Sequence, residues 1–124
     1  MNCKIDSENF AELLIKTINE IKDSTLSKEG PYYQNFRNFI KGTTKTSILK
    51  RIRFLKVLLK SVLDFNKKSI LDVGSGYGVN LIILKYLGFE KVTGIEIVEA
   101  LQNNSELLIS HVNKYFVWIF QTAR

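Results

Sequence analysis

The stretch ILDVGSGYG, residues 70–78, decides the fold of this chain. A short apolar run ends in an acid, Asp72, and three glycines then alternate within five positions. Gly74 permits a tight turn, Gly76 lets a ligand approach the main chain, and Gly78 lets a following helix pack closely on the strand. The stretch therefore predicts a strand, a turn and a helix N-terminus around a nucleotide-type ligand, although glycine repeats alone are weak support.

The residues around this stretch alternate between strand and helix patterns. Residues 69–73 (SILDV) and 91–97 (KVTGIEI) are short runs rich in apolar and β-branched side chains, which predicts two strands. Residues 79–88 and 98–110 have apolar side chains at helical spacing, and residues 114–120 (KYFVWIF) are interpreted as a third strand. Strands that alternate with helices predict a parallel sheet with right-handed crossovers.

The chain before this region is predicted to be helical. Apolar residues spaced by three and four predict a helix over residues 10–21, with Asp6 or Ser7 as its N-cap. An aromatic-rich helix over residues 32–42 follows, and we assign its aromatic residues to the core rather than to a substrate lid. A longer helix is predicted over residues 44–65.

Basic residues are concentrated on the longest of these helices. The net charge is +6, and nine of the 18 Lys and Arg residues lie between Lys41 and Lys68, where Asp64 is the only acid. Such a face suits nucleic acid or an anionic membrane surface. A solvated helix face is the more common explanation, so nucleic acid is an open but not a favoured partner.

Length and composition set further limits. The chain has 124 residues, which is enough for one domain, and no apolar stretch approaches the ~20 residues that a membrane span needs. The first ten residues lack the apolar core of a signal peptide, and the single cysteine, Cys3, cannot form an internal disulfide. We therefore expect a cytoplasmic protein.

Two acids narrow the choice of ligand. The dinucleotide fingerprint requires a small residue at position 79, where this chain has Val79. Asp72 lies two residues before Gly74, where its carboxylate would repel a pyrophosphate and would suit a cationic or hydrogen-bond-donating group. Glu96 follows Gly74 by 22 residues and ends the second predicted strand, where a carboxylate can accept hydrogen bonds from both ribose hydroxyls. These features disfavour a nucleotide-binding oxidoreductase.

With these residues, ILDVGSGYG followed by VTGIEI resembles the S-adenosylmethionine-binding half of a class I methyltransferase, over about residues 68–110. The resemblance implies an α/β fold: a partial Rossmann-like parallel sheet of two to three strands preceded by an N-terminal helical segment. On this interpretation residues 1–66 form the helical segment, and residues 67–124 form an incomplete S-adenosylmethionine-binding unit.

The resemblance also implies a set of cofactor contacts. Asp72 would lie near the amino group of the cofactor, Glu96 would bind the ribose hydroxyls, and Ile97 would pack against the adenine. The main chain of the turn would pass along the methionine and ribose parts, at Gly74, Ser75, Gly76 and Gly78. The alternatives are that Asp72 caps the next helix, that Glu96 is an exposed strand-end acid, and that the turn binds no ligand.

The resemblance implies methyl transfer from S-adenosylmethionine to an acceptor that the sequence does not identify. No catalytic residue can be assigned, and His111 is the only histidine, so no histidine-based metal cluster is expected. The family sheet has seven strands, so we expect a truncated, inactive form that self-associates through an exposed edge strand. The alternative is a non-catalytic cofactor-binding or interaction module that docks through its basic helix.

Overall fold

The computed structural model of the chain describes residues 5–22, 31–60 and 69–122. These residues form five helices and one parallel two-stranded sheet. The elements are α1 (Ser7–Lys22), α2 (Pro31–Gly42), α3 (Lys45–Leu58), β1 (Ser69–Val73), α4 (Val79–Leu87), β2 (Lys91–Ile95) and α5 (Glu99–Thr122). The described part is therefore mostly helical, and its α/β character comes from one β–α–β unit.

Side-chain caps fix where the N-terminal helices begin. The Asp6 carboxylate accepts a hydrogen bond from the Asn9 backbone N–H at 2.8 Å, which confirms Asp6 as the N-cap of α1. The Thr44 hydroxyl accepts from the Ser47 N–H at 3.1 Å, and the Ser47 hydroxyl accepts from the Thr44 N–H at 2.9 Å. This reciprocal pair is a capping box, and it starts α3. The predicted extension of this helix over residues 61–65 lies outside the described residues.

The two strands pair in parallel, as the sequence pattern predicts. β1 and β2 are in register from Ser69 opposite Lys91 to Val73 opposite Ile95, and α4 makes the crossover between them. α4 is apolar around most of its circumference, and seven of its nine side chains are buried. A helix of this kind must be covered on all sides, and α4 contacts β2, α3 and α5.

The prediction of a third strand over residues 114–120 is wrong, because α5 continues through these residues to Thr122. α5 contains no glycine or proline that would end it, so each new residue adds a backbone hydrogen bond to a helix already formed. The preference of aromatic and β-branched residues for strands depends on context and is weak by comparison.

None of the described helices has the length and apolar character that a bilayer crossing requires.

One hydrophobic core joins the N-terminal helices to the β–α–β unit. α1 lies at its centre and contacts α2, α3 and α5. Each of the five helices contributes buried side chains, among them Phe10, Leu14, Ile18, Phe36, Ile48, Ile52, Val79, Ile83, Leu108 and Val112. Phe36 is buried and Phe39 packs partly buried against the same core, which confirms the core assignment for these two residues. The side chains of Tyr32 and Tyr33 lie outside the described part of the chain.

The opposite face of the sheet is apolar and exposed. Leu71 and Val73 of β1 and Ile95 of β2 share this face, and all three side chains are exposed. Parallel sheets are usually covered on both faces. Within the described residues, β1 also pairs with a strand on one side only. Self-association therefore stays a prediction, and the exposed face with Leu71, Val73 and Ile95 is the surface that we expect to mediate it.

We predict that Leu71→Thr combined with Val73→Thr lowers the self-association of the chain and leaves its thermal stability nearly unchanged. Both side chains are exposed, so the substitutions remove an adhesive surface without disturbing the core. Sedimentation velocity at several protein concentrations measures the first effect, and thermal melting followed by circular dichroism measures the second.

The matched control is Ile70→Thr, in the same strand but on the half-buried face beside Val92. This substitution should cost about 1–2 kcal/mol of unfolding free energy and should not lower self-association. Equal oligomerisation of the Leu71→Thr/Val73→Thr variant and the unmodified chain would contradict the prediction.

Candidate functional site

The candidate site lies where both strands end. The carboxyl ends of parallel strands meet at one edge of a sheet, and ligands of α/β proteins bind outside that edge. Residues 74–78, which we call the glycine turn, lead there from β1 into α4. Glu96 follows β2 directly, and the structure brings its carboxylate to the glycine turn. The spacing that suggested a common site thus corresponds to a direct contact.

Main-chain hydrogen bonds fasten the glycine turn to the end of β2. The N–H groups of Gly74 and Ser75 both donate to the carbonyl oxygen of Ile95, at 2.7 and 3.1 Å. Within the turn, the Gly78 N–H donates to the Ser75 carbonyl oxygen at 3.1 Å. These donors are therefore used by the protein itself.

The Glu96 carboxylate completes this connection. One oxygen accepts from the Gly76 N–H at 2.9 Å and the other from the Val98 N–H at 3.1 Å. The hydrogen bonds from Val98 and Gly76 hold the pKa of Glu96 below its ordinary value, because they favour the ionised form. Each carboxylate oxygen can accept more than one hydrogen bond, so Glu96 can hold the turn and still accept from a ligand.

All three glycines of the turn have a left-handed backbone conformation. Gly74, Gly76 and Gly78 have φ values of +74°, +58° and +87°, in the left-handed region that other residues rarely adopt. Gly78 is the N-cap of α4, and a Cβ on it would overlap the hydroxyl of Ser105 in α5. Its closest constraint is therefore α5, and not the strand that sequence reasoning named.

Gly94 is a residue of the site that sequence reasoning missed. It lies in β2 opposite Asp72, and a Cβ there would be 2.7 Å from Leu81 Cδ1 and 2.7 Å from Ser75 Oγ. Gly94 thus lets α4 and the glycine turn approach the sheet. A single glycine within a strand pattern often marks such an approach, and this signal was present in the sequence.

Asp72 differs from Glu96 in having no hydrogen-bond partner among the described residues. It is half-buried at the end of β1, and burial raises the pKa of its carboxyl. It has no hydrogen bond or ion pair with any described residue. The alternative that it caps the next helix is wrong, because Gly78 occupies the N-cap of α4 and no side chain caps that end. A half-buried carboxylate without a partner is a candidate for ligand binding.

One part of the site, around Ser75 and Glu96, borders a cavity. A cavity of about 490 Å³ opens between β2 and α5, lined in part by Ser75, Gly94, Glu96, Gln102, Ser105 and Glu106. This volume lies within the range of small-molecule sites. Ile97, beyond Glu96, is 92% exposed, and neither Ile97 nor Asp72 lines the cavity. The structure therefore brings the glycine turn and Glu96 together and leaves Ile97 in solvent.

The glycine turn is also attached to the N-terminal helices. The ring of Tyr77 stacks on Phe39 of α2 with centroids 4.3 Å apart and lies tilted against Phe36 at 5.7 Å. Burial raises the pKa of the Tyr77 hydroxyl, whose oxygen has no hydrogen-bond partner among the described residues. Helix α2 thus packs against the glycine turn through the ring of Tyr77, a contact that the sequence did not reveal.

Metal ligands do not cluster in the part of the chain that the structure describes, where no three His, Cys, Asp or Glu side chains come together. Comparison with protein-family models, with curated proteins and with solved structures finds no match to this chain. The chemistry of Asp72, Glu96 and the glycine turn therefore carries the functional proposal.

We predict that alanine substitutions at three glycines lower the unfolding free energy by different amounts. Gly74→Ala should cost about 1–2 kcal/mol of unfolding free energy, because its φ is positive but the space around it is open. Gly78→Ala should cost more, since it adds the overlap with Ser105. Urea unfolding measures these differences. Gly42→Ala is the control, since Gly42 has open space and no positive φ, and it should be nearly neutral.

A second substitution separates backbone strain from overlap at Gly78. Ser105→Ala removes the overlapping hydroxyl, so Gly78→Ala should cost less in that background than in the unmodified chain. An identical cost in both backgrounds would show that Ser105 does not constrain Gly78.

We predict that the two site acids affect stability in opposite directions. Burial destabilises ionised Asp72, so Asp72→Asn should raise the melting temperature at neutral pH, and the gain should shrink as the pH falls through the raised pKa of Asp72. Ionised Glu96 is stabilised by its hydrogen bonds, so Glu96→Gln should lower the melting temperature at neutral pH. That loss should shrink only at lower pH, as Glu96 protonates through its lowered pKa.

Thermal melting between neutral and acidic pH measures both effects. Glu90→Gln removes an equal charge at the other end of β2, outside the glycine turn, and should reproduce neither change in melting temperature. A lower melting temperature for Asp72→Asn at neutral pH would show that Asp72 has a stabilising partner.

Proposed function

We propose that the glycine turn binds S-adenosylmethionine and that the chain is a methyltransferase whose methyl acceptor is not assigned. The observation that carries the proposal is the half-buried Asp72 carboxylate, which has no partner among the described residues and lies at the end of β1. Such a group favours a ligand with a cationic or hydrogen-bond-donating part.

The main-chain hydrogen bonds of the turn argue against a phosphate ligand. Phosphate-binding glycine loops present free N–H groups to the anion. Here the N–H groups of Gly74, Ser75, Gly76 and Gly78 donate to protein oxygens. Two carboxylates, Asp72 and Glu96, add negative charge at the same edge of the sheet. These features support a ligand without phosphate and disfavour a dinucleotide.

S-adenosylmethionine has the groups that such a site would accept. Its α-amino group and its sulfonium are cationic, which suits the Asp72 carboxylate, a group without a partner among the described residues. Its ribose hydroxyls are donors, and the Glu96 oxygens keep acceptor capacity beyond their two backbone hydrogen bonds. The exposed Ile97 side chain offers an apolar surface for the adenine.

In such a reaction the protein would mainly position the methyl acceptor in line with the sulfur–methyl bond of the cofactor. In methyl transfer the bond from sulfur to methyl breaks as the bond to the nucleophile forms in line with it, and a neutral thioether leaves. Alignment and the exclusion of water contribute most to such a step, with a general base in some cases. Turnover of labelled cofactor with candidate acceptors would distinguish a methyltransferase from a cofactor-binding module without catalysis.

We predict that ligand truncation separates the roles of the two acids. Titration calorimetry would compare S-adenosylmethionine with 5′-methylthioadenosine, which keeps the ribose and adenine but lacks the amino acid part. Asp72→Asn should weaken binding of the first ligand and leave binding of the second unchanged. Glu96→Gln should weaken both by about ten- to a hundredfold, the value of a charge-assisted hydrogen bond.

Glu90→Gln is the control here also, because it removes the same charge at the amino end of β2 and should not change either affinity. Binding of NAD, without detectable binding of S-adenosylmethionine or its demethylated product, would overturn the assignment. Equal effects of Asp72→Asn on both ligands would place the amino acid part elsewhere.

A further inference from the structure

The outer face of α3 combines exposed apolar and basic side chains. α3 packs on α1 and buries Ile48 and Ile52. On the outside, Phe54, Val57 and Leu58 are 63%, 73% and 62% exposed. Spacings of three and four place these three side chains next to one another on one strip of the helix.

Cationic side chains surround this strip. Lys50 and Arg51 precede Phe54 by four and three residues, and Arg53 precedes Val57 by four, so all three are neighbours of the strip on the helix surface. All three side chains are exposed, and none forms an ion pair with a described residue. We call this set the basic apolar patch: Lys50, Arg51, Arg53, Phe54, Val57 and Leu58.

Among the described residues, no acid forms an ion pair with the charges of the patch. Residues 45–60 contain six Lys and Arg residues and no acid. Only Lys45, which lies toward α1, has an ion pair with a described residue, at 2.8 Å from Glu12. An acidic, partly apolar surface would therefore complement the patch in both charge and hydrophobicity.

We propose that the basic apolar patch docks the protein onto an anionic lipid bilayer. Phe54, Val57 and Leu58 enter the boundary between headgroups and acyl chains, while the basic residues lie against lipid phosphates on long apolar stems. Each Lys or Arg near an anionic surface strengthens binding roughly fivefold. This inference does not depend on the identity of the cofactor.

A nucleic acid fits the same charge less well. Its surface offers phosphates and base planes, so a binding face needs donors and rings that stack on bases. Phe54 is the only ring in the patch, and Val57 and Leu58 offer neither a donor nor a ring. The two aliphatic side chains at the centre of the patch therefore favour a lipid bilayer over a nucleic acid as the partner.

Vesicle flotation of the full chain tests the proposal. The chain should float with vesicles of phosphatidylcholine and phosphatidylserine and should not float with vesicles of phosphatidylcholine alone. Lys50→Gln combined with Arg53→Gln should weaken binding roughly 25-fold. Phe54→Gln combined with Leu58→Gln should weaken it at least about tenfold at unchanged charge.

Two controls keep the test specific. Lys41→Gln combined with Lys91→Gln removes the same charge at exposed positions on α2 and β2, and it should bind vesicles more tightly than the Lys50→Gln/Arg53→Gln variant. All altered side chains are exposed, so circular dichroism spectra should remain unchanged. Absence of vesicle binding, equal effects of the two charge pairs, or patch-dependent binding to duplex DNA or RNA in place of vesicles would overturn the proposal.

Discussion

The rest of the site depends on the two hydrogen bonds that the Glu96 carboxylate accepts. They connect the Gly76 N–H in the glycine turn to the Val98 N–H beyond β2, so one side chain holds both strand ends together. Three glycines at positive φ leave the turn with little intrinsic order, since glycine loses more conformational freedom on folding than any other residue. The carboxylate and the Ile95 carbonyl oxygen supply the acceptors that make one conformation stable.

The two acids of the site, Asp72 and Glu96, differ in how their surroundings shift their pKa values. Glu96 accepts hydrogen bonds from backbone donors, which lower its pKa, whereas burial raises the pKa of Asp72. Carboxyl groups of one site whose environments shift their pKa values in opposite directions are typical of functional sites. Glu96 therefore stabilises the fold, whereas the proposed role of Asp72 in ligand binding comes at some expense of stability.

The N-terminal helices are part of this arrangement and not an appendage to it. Tyr77 of the glycine turn stacks on Phe39 of α2, and α4 is buried between the sheet and the helical layer. Through the shared core, α3 is fixed to the same body with its basic apolar patch facing outward. The proposed cofactor site and the proposed membrane-docking face thus belong to one packed structure.

The sequence by itself determined the local features: β1, the glycine turn, α4 and the N-cap at Asp6. Each of these depends on residues within a few positions of one another, through apolar period, positive φ or a reach of three residues. Spacing also placed Glu96 at the site. The continuation of α5 through residues 114–120 is also local, because a helix propagates where no glycine or proline ends it. Tertiary structure alone decided that Glu96 binds Gly76 and how closely Leu81 and Ser75 approach Gly94. Those outcomes depend on atoms distant in sequence that meet only in the folded structure, where close packing leaves no space to adjust.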